Sequence, residues 1–595
     1  MEHQFFSFPI LFTFSIFLLM LVRLGKRLRS NKTLNLPPGP WKLPVLGSLH
    51  HLAAGPLPHQ TLRDMAKRYG SLTHLQLGEL PTIVVSCPQT AAEVMRTHDI
   101  IFASRPSLLS STILTYNATD VAFAPYGDYW RQLRKICVLE MLSLKRVQSF
   151  TPIREEEVSK LVTAISSKAG SPINLSQMLY FLTFEIVLKT AFGGKCKERD
   201  EFTVLFRDVL RLGAGFNVAD LFPSLKFLEY LTGLRPKLER LHQKLDKIFA
   251  SVINEHKASK GVEGEADDLV DVLLNLQENG DLEFPLTTDN IKAVILDLFI
   301  AGSDTSFTTL EWAMSEMLKN PRVMKKAQAE VRQVFNRKGN VDSEGLHELE
   351  YLKLVISETL RLHPPLPLLL PRECSQGCKI NGYDIPVKSR VIINAWAIAR
   401  NTEYWSEAET FYPERFVNSP IDNKGANFEL IPFGAGRRMC PGMLYGMANV
   451  ELPLAHLLYH FDWKLAGGVK MEDLDMDEVF GAVVRRKNDL CLMLPLSFTF
   501  LVFIFMVLKL CMRSKIKDSP KNLPPAPLRL PIIGHLHLLM VSLPPHRLTE
   551  LAKRHGSLMH LQVGELSHIV VSSPEAAKEV MKTHDINFAN RPYLL

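Results

Sequence analysis

Charge of one sign is scarce in this chain of 595 residues: 69 Lys and Arg stand against 62 Asp and Glu, a net +7. So modest an excess argues against a dedicated nucleic-acid binder, and the basic residues gather partly beside apolar runs. Paired cysteine is missing as well. The eight cysteines are scattered, with no CxxC and no Cys/His spacing of a zinc site. Cys374 and Cys378 form a lone CxxxC, read as structural or incidental. This usage suits a reducing compartment, where the sequons at Asn31, Asn117 and Asn174 carry no glycan. A dinucleotide loop is absent too, because Gly434-Ala435-Gly436 has no βαβ context. What is present is 46% hydrophobic and 22% charged sequence. That describes a globular protein with extra apolar stretches, long enough for one large enzyme domain plus appendages.

The first apolar stretch runs from Phe5 to Val22. At ~1.5 Å per residue it spans about 27 Å, close to the hydrocarbon thickness of a thin bilayer. Arg23, Lys26, Arg27 and Arg29 follow, so the positive-inside rule keeps the remainder in the cytosol. A cleaved secretory signal would need a charged start and a small-residue cleavage site; "LVRLGKRLRS" offers neither. The expectation is a retained signal anchor over 1–22 and a basic, proline-stiffened hinge over 23–40, closed by "LPPGP".

A folded body is expected over 41–494, and then the pattern begins again. A second apolar segment covers 495–513, followed by "LPPAP" and a truncated repeat of the N-terminal region through 514–595. About 30 of the 44 residues from Ala552 to Leu595 match Ala66 to Leu109. A single repeat at this separation is no solenoid; it reads as the non-catalytic beginning of a second, similar protein, as a read-through of tandem duplicated genes would give. The apolar core Leu496 to Leu508 is short for a span, and crossing there would carry Arg513, Lys515 and Lys517 out of the cytosol.

The body reads as mainly helical, with short strands such as "TIVVS" (82–86) and "SRVIINAW" (389–396). The most informative helix starts at a Thr287 or Thr288 cap and stops at Pro321. Its length of about 46 Å crosses a whole domain. Apolar residues wrap its middle, yet Gly302-Ser303-Asp304-Thr305 interrupts them. Two readings stand: a Thr hydroxyl bonding back to its own helix with Asp304 in an ion pair, or a local opening that leaves room for a small molecule.

"FGAGRRMCPG" (433–442) places Cys440 at the start of another helix, with Pro441 in its first turn and Pro453 disturbing it later. Helix-end N–H groups and the dipole favour thiolate there. Glycines 434, 436 and 442 let the backbone lie flat against a partner, and Arg438 can pair with an anionic group on it. A thiolate so held is a metal ligand. Phe-x-x-Gly-x-Arg-x-Cys-x-Gly specifies five positions, on the order of 10⁻⁴ chance matches in a chain this long.

The pattern resembles the haem-binding signature of cytochrome P-450 monooxygenases, plant family-71 type, similar to the terpenoid oxidases in "FAPYGDYWRQLRK" and "IPFGAGRRMCPG". The resemblance covers about Leu36 to Leu494. It implies the P-450 fold, mainly α with small β-sheets, as a single haem domain behind its anchor. It implies haem b, with Cys440 as the axial iron ligand and Phe433, Arg438 and Gly442 beside it. "WRQLRK" supplies Trp130 and Arg134, and "LPRE" supplies Arg372, as propionate partners. "AGSDTS" supplies Asp304 and Thr305 as the proton relay for oxygen activation, and Glu358 and Arg361 of "ETLR" join Arg415 of "PERF" in a structural ion cluster. The substrate pocket is expected to draw on Ile113, Leu298, Ala301, Leu366, Ala482 and Val483. The implied reaction inserts one atom of O2 into a small apolar plant metabolite, a sesqui- or diterpene. Electrons come from NADPH through a separate membrane-bound reductase on the cytosolic face of the endoplasmic reticulum. Two alternatives are a P-450-fold isomerase or dehydratase working without O2, whose members typically lack the central Thr that Thr305 supplies here, and an inactive haem protein from a fused gene.

Overall fold

The computed structural model describes residues 34–213, 217–259, 268–280, 282–481 and 483–494, then 523–528, 534–535, 538, 544–563 and 566–588. Segments 1–22 and 495–513, most of the 23–40 hinge, and Ala482 lie outside the described residues. The chain divides into two compact units, Met1–Pro495 and Leu496–Leu595.

The first unit is mainly helical around one large core. Its axis is helix α1 (Thr288–Lys319). Thr287 caps it: the Thr287 hydroxyl accepts the Asn290 N–H while the Asn290 side chain accepts the Thr287 N–H, satisfying donors that a helix start leaves orphaned. The helix ends at Lys319, and Pro321 opens the next one. Leu175–Phe192 packs along it, with Phe184, Phe192, Phe202 and Phe299 forming an aromatic cluster at centroid spacings of 4.7 to 5.9 Å. Both helices are long and apolar enough to span a membrane, yet 72% of each apolar window is buried inside the fold. They are core helices.

The main sheet carries four strands, β1 (Leu72–Leu77), β2 (Leu80–Val85), β3 (Arg372–Glu373) and β4 (Arg390–Ile393), in the spatial order β1-β2-β4-β3. β2 and β4 pair in parallel with Val84 opposite Ile392, and β3 joins antiparallel with Arg372 opposite Val391. β4 stops at Ile393, short of the strand expected to run to Trp396. The Asn394 side chain accepts the Ala397 N–H there and turns the backbone into a short helix.

Helix α2 (Met443–His460) follows the cysteine loop. It begins after Gly442, so Pro441 precedes the helix instead of occupying its first turn. Pro453 does not break it: the helix continues to His460, packed against α1 and the preceding core helices. A missing hydrogen bond inside a helix is tolerated where packing on both sides holds the turn in place.

The second unit repeats the opening of the first. Pro544–His555 is followed by a hairpin of Leu558–Val563 and Leu566–Val571, whose register, Leu558 opposite Val571, copies Leu72 opposite Val85. Even the wide π turn at Glu93–Thr97 recurs at Glu579–Thr583. Its core is a small cluster around Leu551, Met559 and Leu561.

Candidate active site

A cavity of about 480 Å³ lies against the middle of α1. Its floor is the cysteine loop. The Cys440 N–H donates to Phe433 O at 2.9 Å, closing a tight turn that carries the thiol on the cavity wall. Gly436 is required there: its φ is +70°, and a Cβ would stand 2.1 Å from Met95 O and 2.7 Å from Asp99 Oδ2. Burial pushes the Cys440 thiol up, while the Gly442 N–H and the Arg134 charge pull it down. The helix-end preference for thiolate is therefore outweighed by desolvation, and coordination to a metal is what removes such a proton.

Five arginines line the same cavity; Arg390 lies near the charge of Asp220, and the other four, Arg105, Arg134, Arg372 and Arg438, include the positions expected to meet propionates. Arg438 donates to Ala103 O at 2.7 Å, Val121 O at 3.2 Å and Ala124 O at 2.5 Å, and lies 4.1 Å over the Trp130 ring. Trp130 donates its indole N–H to Val121 O at 3.0 Å. Arg372 pairs with Asp99 at 3.2 Å. Arg105, buried, donates among the described residues to the carbonyls of Ala122, Leu370 and Pro371. Arg134 makes no hydrogen bond among the described residues. Among the described residues, Asp99 and Asp120 are the carboxylates that act on Arg105, Arg372 and Arg438, so the cations outnumber the acids beside them. A buried group of mutually repelling cations calls for an anionic ligand. Cys440 would hold the iron of a flat cofactor and the arginines would hold its propionates, so haem is compatible with the residues present.

The opposite wall is α1. Ala301, Gly302, Thr305 and Leu298 face the cavity, and Leu366 and Val483 border it. The helix stays α-helical through the polar interruption, without the local opening held out as one of two readings. The Thr305 hydroxyl donates to Ala301 O at 2.6 Å, the self-bonded alternative. Asp304 is not on the cavity wall. Successive helix residues point about 100° apart, and its carboxylate is buried against Arg485 at 2.5 Å. Burial raises its pKa, and Arg485 opposes that rise. Ile113 likewise faces away, into a separate groove with Tyr116, His242 and Asn290.

Away from the cavity, Arg361 forms a fork on Glu358 at 2.7 and 2.9 Å, and Arg415 adds a bond to Glu358 at 2.9 Å. The Tyr412 N–H donates to the same carboxylate, and Arg361 also holds the carbonyls of Ala399 and Ala408. This cluster ties the Glu350–Leu362 helix to the segments leading to the cysteine loop.

Arg105, Asp99 and the carboxyl pair Asp120 and Asp297 are not marked by any sequence motif, and several of their partners lie far along the chain.

The cytochrome P450 family profile matches residues 37–493 and again 524–594. The chain belongs to the cytochrome P450 family. Among curated relatives of this P450, desmethyl-deoxy-podophyllotoxin synthase of Sinopodophyllum hexandrum is 56% identical over 494 residues, 82% of this chain and 97% of the relative. Premnaspirodiene oxygenase of Hyoscyamus muticus is 53% identical over 82% of this chain and 98% of its own length. Germacrene A hydroxylase of Barnadesia spinosa is 53% identical over 78% and 93%. A solved zebrafish cytochrome P450 with progesterone superposes with a TM-score of 0.64 at 25% identity, covering 74% of this chain and all of that one. The plant family-71 resemblance holds, the enzyme class is a haem monooxygenase, and O2 and a small substrate are its reactants.

Proposed function

We propose that this P450 hydroxylates or epoxidises a small terpenoid hydrocarbon. The observation that carries this reading is the cavity between α1 and the Cys440 loop, lined mostly by apolar side chains such as Leu114, Val294, Leu298, Leu366 and Val483. A hydrocarbon of sesquiterpene size suits such a space. The names of two relatives, acting on premnaspirodiene and germacrene A, support it.

Haem b, when bound, supplies O2 activation and oxygen-atom insertion. Cys440 would hold the iron from the floor. Arg105, Arg134, Arg372, Arg438 and the Trp130 indole would seat the propionates, and Phe433 and Gly442 would shape the thiolate surroundings. Thr305, the hydroxyl on the reaction side, passes a proton inward by turning from Ala301 O. Asp304 supports that helix turn from behind through Arg485. Leu298, Ala301, Leu366 and Val483 exclude water and orient the substrate.

Electrons reach the site from NADPH through a separate reductase docking on the cysteine side, where Lys135 and Arg437 are exposed. Residues 1–22 anchor the enzyme in the endoplasmic reticulum membrane with the 41–494 body in the cytosol, and 514–595 takes no part in catalysis. The test is reconstitution of the full chain with a plant P450 reductase, NADPH and a panel of sesqui- and diterpenes plus podophyllotoxin-type compounds, read by mass spectrometry. Oxygenated terpene products are expected; turnover of the podophyllotoxin-type compounds alone overturns the substrate class.

A further inference from the structure

Two carboxyl groups on the cavity wall play no part in holding the cofactor. Asp297 lies on α1, one turn before Ala301 and two before Thr305, and all three residues line the cavity. Asp120 sits on the loop that closes the cavity opposite, and it is fully buried. The backbone N–H groups of Val121 and Ala122, next in the chain to Asp120, bind the Asp297 carboxylate, which brings the two acids together.

The hydrogen bonds around them are ordered in one direction. Asp297 Oδ2 accepts the N–H groups of Val121 at 2.8 Å and Ala122 at 3.1 Å, and Asp120 Oδ1 accepts the Phe123 N–H at 3.3 Å. The loop's carbonyls point the other way: Val121 O and Ala124 O bind Arg438, and Ala122 O binds Arg105. Residues 121–124 are thus stretched between the cation cluster and the central helix. Asp120 Oδ2 is left buried without any donor among the described residues. Two ionised carboxylates in contact repel, and a buried acceptor without a donor is costly. One proton between Asp120 and Asp297 removes both faults.

We propose that Asp120 and Asp297 share a single proton and act together as a clasp, positioning the loop of Val121, Ala122 and Phe123 over the substrate. Both are positioning residues. They act through the loop, which lines the cavity. The charged and titratable groups facing the pair are Arg105 and Arg438 from the cation cluster, with Tyr129 from the helix Asp128–Ile136 and Cys137 from the wide turn that follows it. Burial raises Asp120 to about 6, against the bond from Asp297, and burial together with the Asp120 charge raises Asp297 well above the usual carboxylate range. Both shifts are upward, so the pair holds its one proton at neutral pH, takes up a second as pH falls through the lower ionisation, and opens as pH rises through the upper one.

The proposal rests on the cavity being the substrate site, and its first readout needs neither haem nor substrate. Infrared difference spectra of the full chain, wild type minus Asp120→Asn and wild type minus Asp297→Asn, are expected to contain one protonated-carboxyl band lost in both variants. In the haem-loaded full chain, phenylimidazole affinity is then measured from about pH 6 to about pH 9. Wild type is expected to lose about five- to tenfold in affinity as the proton leaves, beyond any change in Asp120→Asn, whose amide donates to Asp297 at every pH. Asp120→Leu is expected to bind weakly throughout. No carboxyl band lost in either variant, or a wild-type pH profile that runs parallel to that of Asp120→Asn, overturns the clasp. If Asp120→Leu fails to fold, the infrared spectra and the Asp120→Asn profile still decide.

Discussion

A hydroxyl that bonds to its own helix is often idle, but the Thr305 hydroxyl does so on a cavity wall, with Gly302 beside it leaving space. Rotating it toward the cavity costs one neutral hydrogen bond, about 1 kcal/mol. Thr305→Ala should therefore keep its haem and lose coupling: NADPH consumption continues while product per NADPH falls and peroxide rises, which a combined oxygen, peroxide and product assay reads. Glu358 is the contrasting case, a fully buried carboxylate that binds two arginines and serves no chemistry. Glu358→Gln leaves both guanidinium charges uncompensated, and such a loss costs about 3–5 kcal/mol. Denaturant titration should show that drop together with reduced haem content. The residues of both roles were legible in the sequence because local motifs carry them: Glu358 and Arg361 lie one helical turn apart, and Cys440 sits in a pattern of glycines. Asp99, Arg105, Asp120 and Asp297 were not. Their partners lie far along the chain, and no spacing rule reports a through-space pair. Asp304 points away from the cavity into the ion pair with Arg485, because residues adjacent in sequence diverge on a helix.

At the scale of elements, caps and stops located the central helix within a residue, because Thr287 and Pro321 act locally. Pro453 misled, because tertiary packing around α2 overrides a local breaker. The same burial governs titration on that helix. His456 is lowered to about 4 by burial and then by His460. The folded pKa lies below the ordinary 6.5, so the folded state resists protonation; the stability His456 allows is present above 6.5 and is lost as pH falls toward 4. One such group contributes a slope of at most about 1.4 kcal/mol per pH unit in that window. His456→Leu should flatten the acid limb by that one proton, measured as the difference between denaturant midpoints at about pH 7 and about pH 5 for variant and wild type.

At the scale of the whole molecule, the P450 family profile matches the chain twice, over residues 37–493 and 524–594. The cysteine, the α1 wall and the Glu358 cluster all lie within the first unit, and the second has its own small core. A chain truncated after Leu494 should bind haem and turn over substrate like the full chain; loss of both on truncation would give the second unit a role. Everything else depends on the sulfur of Cys440 reaching iron. The direct measurement is the absorption spectrum of the purified, dithionite-reduced full chain under carbon monoxide, alongside Cys440→Ala. The account predicts the Soret band of thiolate-ligated haem in the wild type and its disappearance in the variant. A wild-type spectrum of histidine-ligated or unbound haem would contradict it.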